Sequence, residues 1–227
     1  MPRQARNTPG GLVYHVLNRA NGRLRIFKKD ADILAFEKTL TEAMRRCPTR
    51  LIGWCIMGNH WHFVVWPRRD GELSEFFRWL THTHVQRWHA AHGTAGMGHV
   101  YQGRFKAFPV QDDEHVLRVL RYVHRNPVRA KLVKQAQDWR GSSLWIEANG
   151  TDEQRGLLCD GPVDRPRNWL ATVNAAQPEE EEEMIAESIR RSRPLGEPRW
   201  IKQMVAKLGL EWTVRPRGRP KKELRPL

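Results

Sequence analysis

Two short apolar runs, residues 51–57 and 60–66, constrain the fold of this chain most strongly. They are separated only by Gly58-Asn59, and this arrangement is typical of a β-hairpin that turns at the glycine. The second run contains His60-Trp61-His62. Side chains two residues apart on a strand point to the same face, so the two imidazoles should project together while Trp61 points into a core.

Two neutral imidazoles side by side form half of a divalent-metal site. The same spacing also fits two histidines on a solvated or partly buried strand face, and the pair alone leaves both interpretations open. A second pair, His82 and His84, lies in a stretch with helical periodicity, where residues two apart diverge by about 200° and cannot chelate one ion. We predict that both are surface residues, and the same prediction covers His89, His92, His99, His115 and His124.

An amphipathic helix is predicted from Glu114 onward, because apolar residues recur at helical spacing through Val123. Tyr122 and Asn126 are four residues apart on it and share one face. A phenol and an amide oxygen therefore point the same way. The pattern also fits a half-buried core tyrosine and an asparagine that ends the helix before Pro127.

The chain resembles a known family in these two stretches. The first block is Gly58-Asn59-His60-Trp61-His62, and the second is Tyr122-Val123-His124-Arg125-Asn126-Pro127-Val128-Arg129-Ala130. Both are similar to the single-tyrosine HUH (IS200-like) transposases, and most to the branch of REP-associated tyrosine transposases. Further matches follow in the family's order: Tyr14-His15-Val16-Leu17-Asn18-Arg19, Tyr101-Gln102-Gly103-Arg104-Phe105-Lys106, and Trp139 with Ser142-Ser143.

The resemblance implies a chemistry and a substrate. Tyr122 is the implied nucleophile, and His60, His62 and Asn126 are the implied protein ligands of one Mg²⁺ or Mn²⁺ ion. The implied substrate is single-stranded DNA with a hairpin, similar to repetitive extragenic palindromes, which the tyrosine cleaves to give a 5′-phosphotyrosine. Two alternatives stay open: an HUH relaxase or replication-initiator nickase, and a domesticated, non-catalytic DNA-binding regulator.

The charge distribution favours a polyanionic partner. The chain has a formal net charge of +14, and residues 1–150 carry 24 Lys and Arg against 12 Asp and Glu, whereas residues 151–227 carry 15 against 13. Excess positive charge on the candidate catalytic part suits nucleic acid. The candidate DNA-contacting residues are Tyr14, Arg19, Arg23, Arg25, Arg104, Phe105, Lys106, Arg125, Arg129, Arg217 and Arg219.

The order of predicted elements, β-α-β-β-α-β-α, favours an α+β fold with a ferredoxin-like antiparallel sheet and helices on one side. We expect a catalytic domain at residues 1–146, a linker at 147–168, and a small helical module at 169–212. Residues 213–227 form a basic tail whose Arg217-Gly218-Arg219-Pro220 resembles an AT-hook. A tail that binds DNA without sequence preference is the equal alternative.

The remaining features of the sequence favour a cytoplasmic, nucleoid-associated protein. Three cysteines are too few for a disulfide framework and do not have zinc-site spacing. No apolar run approaches the ~20 residues that a membrane span needs, and the N-terminus lacks the apolar core of a signal peptide. From the REP-associated branch we also expect a monomer.

Overall fold

The computed structural model describes residues 7–215 of the chain. Its centre is a four-stranded sheet in the order β2-β3-β1-β4, in which every neighbouring pair is antiparallel. The predicted hairpin is confirmed as β2 and β3, and the histidine strand β3 is one of the two central strands. The strands are β1 (Val13–Arg19), β2 (Leu51–Met57), β3 (His60–Val65) and β4 (Lys106–Val110).

Helices cover both faces of the sheet, which corrects the expectation of helices on one side. The antiparallel α+β fold itself is confirmed. Trp61 and Phe63 of β3 pack in one core cluster with α1 and α2, whereas the opposite face packs in a second cluster with α3. The strand sequences could not predict which helices cover each face. Apolar residues on both faces of a strand predict only that both faces are buried. The helices before the C-terminal part are α1 (Asp30–Arg46), α2 (Glu72–His92), α3 (Glu114–Arg129) and α4 (Ser143–Asn149).

A glycine lets α3 approach the sheet closely. A Cβ atom at Gly53 would lie 2.6 Å from Cδ1 of Leu120 and 2.9 Å from Nε2 of His124. That imidazole nitrogen also lies 2.9 Å from Oγ of Ser143, which in turn accepts a hydrogen bond from the N–H of Trp54. The tyrosine helix is therefore fixed to β2 by packing and by a buried polar contact.

The chain after α4 packs against both edges of the sheet. Residues 147–168, expected to be a linker, include the short helix α5 (Asp152–Arg155) and run along β2, where the N–H of Cys159 donates to the carbonyl of Leu51. At the other edge, the N–H of Leu195 donates to Pro109 of β4, and Leu195 accepts from Gln111. The remaining helices are α6 (Trp169–Asn174), α7 (Glu179–Arg191) and α8 (Pro198–Leu208).

Two further predictions concern the basic C-terminal tail and membrane-spanning segments. Arg217 and Arg219 of the basic tail lie outside the described residues. Between residues 7 and 215, none of the helices combines the length and the apolar character that crossing a bilayer requires.

Candidate active site

The two histidines of β3 share the face of the sheet that α3 covers, as the strand alternation predicts. The ring centroids of His60 and His62 are 5.1 Å apart, and the rings are almost perpendicular. Trp61 points to the opposite face, where it stacks on Phe77 with centroids 5.5 Å apart. The tryptophan anchors the strand, so the two imidazoles are held on a rigid element.

Both imidazoles are neutral at physiological pH. Burial, together with the nearby positive charges of Arg19 and Arg129, lowers the pKa of His60 to about 4. Burial also lowers the pKa of His62 well below its ordinary value, with His15 as the next cause. A neutral imidazole has a free lone pair, which is the state that binds a metal ion.

The Nδ1 atom of each histidine is held by a neighbouring side chain. Nδ1 of His60 lies 2.6 Å from Oδ1 of Asn59, the residue in the hairpin turn. Nδ1 of His62 lies 2.9 Å from Nε2 of His15, which is directly inside β1 and fully buried. Such contacts fix ring orientation and leave Nε2 of both histidines to face a ligand.

The contact between His15 and His62 links the tautomers of the two rings. Burial lowers the pKa of His15 to about 3, so this ring is neutral and carries a single N–H. When Nε2 of His62 is a free acceptor, its Nδ1–H donates to Nε2 of His15, and the proton of His15 is then on Nδ1. That nitrogen is buried without a hydrogen-bond partner in the described part of the chain, beside the edge of Phe108.

Helix α3 brings Tyr122 and Asn126 to the histidine face. The ring of Tyr122 lies 6.0 Å from that of His62 and is almost fully buried. Arg129, two turns along the helix, donates to the phenol oxygen of Tyr122 at 3.0 Å and to Oδ1 of Asn126 at 3.2 Å. The predicted sharing of one helix face is confirmed, and Arg129 joins it as a bridge.

The environment of Tyr122 acts on its pKa in two directions. Burial raises the pKa of the phenol, and the adjacent guanidinium of Arg129 opposes that rise. Glu182 of α7 lies 3.8 Å from the Arg129 guanidinium and reinforces the upward shift. Tyr122 is therefore a protonated phenol at neutral pH, with the guanidinium of Arg129 hydrogen-bonded to its oxygen.

The candidate DNA-contacting residues fall into three groups. Tyr14 and Phe105 are core side chains that present no ring face to solvent: the Tyr14 hydroxyl donates to Pro9, and Phe105 packs 5.1 Å from Phe77. Arg125 donates to the carbonyl of Asn174 and holds α6. The exposed cations are Arg19, Arg23, Arg25, Arg104, Lys106 and Arg129.

Several histidines expected at the surface are buried, so that prediction was wrong for them. His84 lies in the core and contacts the hydroxyl of Tyr101 through Nδ1 at 2.8 Å, and His115 and His124 are also buried. His82 is exposed, and the divergence of His82 from His84 is as predicted. The periodicity placed the pair on different helix faces but did not show which face packs on the sheet.

The donor set fits a divalent ion with mixed nitrogen and oxygen ligands. Two neutral imidazoles and the amide oxygen of Asn126 would supply it, and that composition suits Mn²⁺ or Mg²⁺. Within residues 7–215, no cluster of three or more His, Cys, Asp or Glu side chains is arranged to hold a metal ion.

The fold and the site together define the class of this protein. The model of the IS200-like transposase family matches residues 10–126, just over half of the chain, and spans both histidines, Tyr122 and Asn126. The chain therefore belongs to the IS200-like transposase family. That family consists of DNA-processing enzymes, and the resemblance seen in the sequence is confirmed.

Two relatives belong to one branch of the family. The chain is 24% identical over 164 residues to the REP-associated tyrosine transposase of Escherichia coli (strain K12), with 72% of this chain and 87% of that protein covered. A solved structure of the REP-associated tyrosine transposase bound to a REP hairpin superposes with a TM-score of 0.51 and 19% identity. That match covers 73% of this chain and 94% of the solved one, and it supports the fold.

Two contacts of the site differ in how far the sequence indicates them. Glu182 follows Tyr122 by 60 residues in a run of acids that is typical of a solvated helix start, so no local signal marked it. The contact of His15 with His62 depends on pairing between β1 and β3, which sets Leu17 opposite His62. A histidine such as His15, on a strand that pairs with the strand of His60 and His62, indicates such a contact from the sequence.

Proposed function

We propose that this chain is a metal-dependent single-stranded DNA endonuclease and strand transferase that uses Tyr122 as its nucleophile. One observation supports this most directly: two neutral histidines, a buried tyrosine and an amide converge on one face of the sheet, with Arg129 hydrogen-bonded to the phenol. The solved relative is bound to a REP hairpin, and hairpin DNA is the proposed substrate here as well.

In the proposed reaction the phenol oxygen of Tyr122 attacks phosphorus and loses its proton. The bond from phosphorus to the 3′-oxygen breaks, that oxygen leaves as a hydroxyl after taking up a proton, and the 5′-phosphate remains on the tyrosine. Bond energy is conserved, so the reverse step joins strands without ATP. Arg129 would stabilise the developing charge on the phenol oxygen.

His60, His62 and Asn126 would hold the Mg²⁺ or Mn²⁺ ion. When bound, the ion polarises the phosphate and orients it for in-line attack. His15 and Asn59 would keep the two imidazoles oriented, with Nε2 facing the ion. The exposed guanidiniums of Arg19 and Arg129 would attract the phosphate backbone.

The test uses hairpin oligonucleotides labelled at the 5′ or 3′ end, incubated with Mn²⁺ or Mg²⁺ and, in parallel, with EDTA. A denaturing gel should show a protein–DNA adduct that requires the metal and is absent in Tyr122→Phe and strongly reduced in His60→Ala. Tyr14→Phe is the matched control, because its hydroxyl contacts only the carbonyl of Pro9. Tight binding without any adduct would replace this proposal with a non-catalytic DNA-binding regulator.

We also propose that the chain acts as a monomer. Light scattering should give a mass near 26.6 kDa. A mass near twice that value would contradict it.

A further inference from the structure

A cleft of about 660 Å³ lies between the β4 edge of the sheet and the C-terminal helices. One wall is formed by the end of β1 and the chain leading into β4, and the other by the residues that follow α7 and α8. This volume is within the range of sites that take a small ligand. The polar and aromatic side chains that carry the argument are Arg19, Gln102, Arg104 and Trp212.

Trp212 is unusual among the aromatic side chains of this protein. The residue is 54% exposed. Among residues 7–215, no other Trp, Tyr or Phe is largely exposed to solvent. A large exposed ring at the mouth of a cationic cleft is typical of a platform on which nucleic-acid bases stack. The exposed guanidiniums of Arg19 and Arg104 line the same cleft and match a phosphate backbone.

Arg19 relates the cleft to the candidate active site. Arg19 is paired with His60 across β1 and β3, and its charge acts on both His60 and Tyr122. The far wall is fixed to the sheet, because Nζ of Lys106 donates to the carbonyl of Ile189 in α7 at 3.1 Å. The family match ends at residue 126, so the wall that contains Trp212 lies outside the matched residues.

We propose that this cleft binds the single-stranded DNA next to the hairpin, with one base stacked on Trp212 and its phosphates held by Arg19 and Arg104. The exposed amide of Gln102 lines the cleft and supplies hydrogen-bonding groups for a base edge. The proposal rests on the proposed function for its choice of DNA. It adds that the C-terminal helices contribute to recognition of the single strand.

The test measures fluorescence anisotropy with three probes: a blunt hairpin, the same hairpin with a 5′ single-stranded extension, and the single strand alone. Trp212→Ala should weaken binding of the extended hairpin about 5- to 150-fold, the effect expected for loss of one base–aromatic stack. The blunt hairpin should bind Trp212→Ala as it binds the wild type. Trp212→Phe should restore most of the affinity, because it keeps a stacking face.

Arg104→Ala is the second variant in the cleft, and Lys38→Ala is its matched control, since Lys38 is an exposed cation of α1 that does not line the cleft. Arg104→Ala should also reduce the salt dependence of binding to the extended hairpin. A photo-crosslink from 5-iodouracil in the extension to Trp212, located by mass spectrometry, gives a direct readout. Thermal melting confirms that the variants are folded.

The outcomes separate this proposal from the proposed function. If Trp212→Ala and Arg104→Ala bind the extended hairpin as the wild type does, while the metal-dependent adduct still forms, the cleft proposal is overturned and the function stands. If binding depends on Trp212 but no adduct forms, the cleft proposal stands and the catalytic function falls. If the wild type binds neither single-stranded probe, both are overturned.

Discussion

Arg129 is the residue whose removal should affect the chemistry most without removing the nucleophile or a proposed ligand. Its guanidinium donates to the phenol oxygen of Tyr122 at 3.0 Å and lies over the tyrosine ring, 4.7 Å from the centroid. It opposes the rise in the pKa of Tyr122 that burial causes. In Arg129→Met the phenol is therefore harder to deprotonate as the bond to phosphorus forms.

The structure sets the size of this effect. A hydrogen bond to a charged group contributes about 1.5–3 kcal/mol, and the side chain of Arg129 is 42% exposed, so solvent screens part of that amount. A transition-state loss of about 1–2 kcal/mol corresponds to a ~5- to 30-fold slower cleavage step. Arg129→Lys should be intermediate, because it keeps the charge but not the planar fork that reaches both Tyr122 and Asn126.

The assay is single-turnover formation of the covalent adduct with a labelled hairpin at saturating protein and metal. Arg125→Met is the matched control, because Arg125 lies on the same helix but donates to the carbonyl of Asn174. Its rate should equal that of the wild type. The reasoning would be refuted by a faster rate in Arg129→Met together with tighter Mn²⁺ binding, since Arg129 would then act by blocking Oδ1 of Asn126.

Three further predictions concern metal binding, packing and pH. His15→Phe should weaken Mn²⁺ binding in calorimetry about 10- to 100-fold by removing the acceptor for His62, and an unchanged Kd would contradict the role of His15. Gly53→Ala should lower the free energy of unfolding by about 1–3 kcal/mol, because its Cβ would lie 2.6 Å from Leu120, whereas Gly103→Ala, with nothing within 4 Å, should not. Burial lowers the pKa of His84 to about 3 in the folded state, so the unfolded chain binds protons first as pH falls. Stability in urea should be full above pH 6.5 and decline toward pH 3, by up to ~1.4 kcal/mol per pH unit for this group, and a pH-independent value between pH 7 and 4 would contradict it.

The local patterns of the sequence predicted the elements that carry the site. The alternation around His60 and His62, and the four-residue spacing of Tyr122 and Asn126, each follow from the geometry of a single strand or helix. These features require no knowledge of the rest of the chain. The hairpin and the tyrosine helix were therefore correct as predicted.

Contacts between distant segments could not be read in the same way. Phe105 was expected to be available to DNA, but it packs on Phe77 because α2 covers that face of the sheet. Arg129 bridges Tyr122 and Asn126 within α3, but its ion-pair partner Glu182 comes from a helix beyond the family match. Whether a side chain is exposed depends on which helix or strand packs over it. Tertiary packing decides this, and the periodicity of the sequence does not predict it.

The most direct test of the account is to locate the DNA on the protein. The adduct formed with a hairpin substrate would be digested with protease and nuclease, and the modified peptide identified by mass spectrometry. The account predicts a 5′-phosphonucleotide on Tyr122 alone. A nucleotide on Tyr14 or Tyr101, or an attachment through a 3′-phosphate, would contradict the proposed nucleophile and the proposed direction of cleavage.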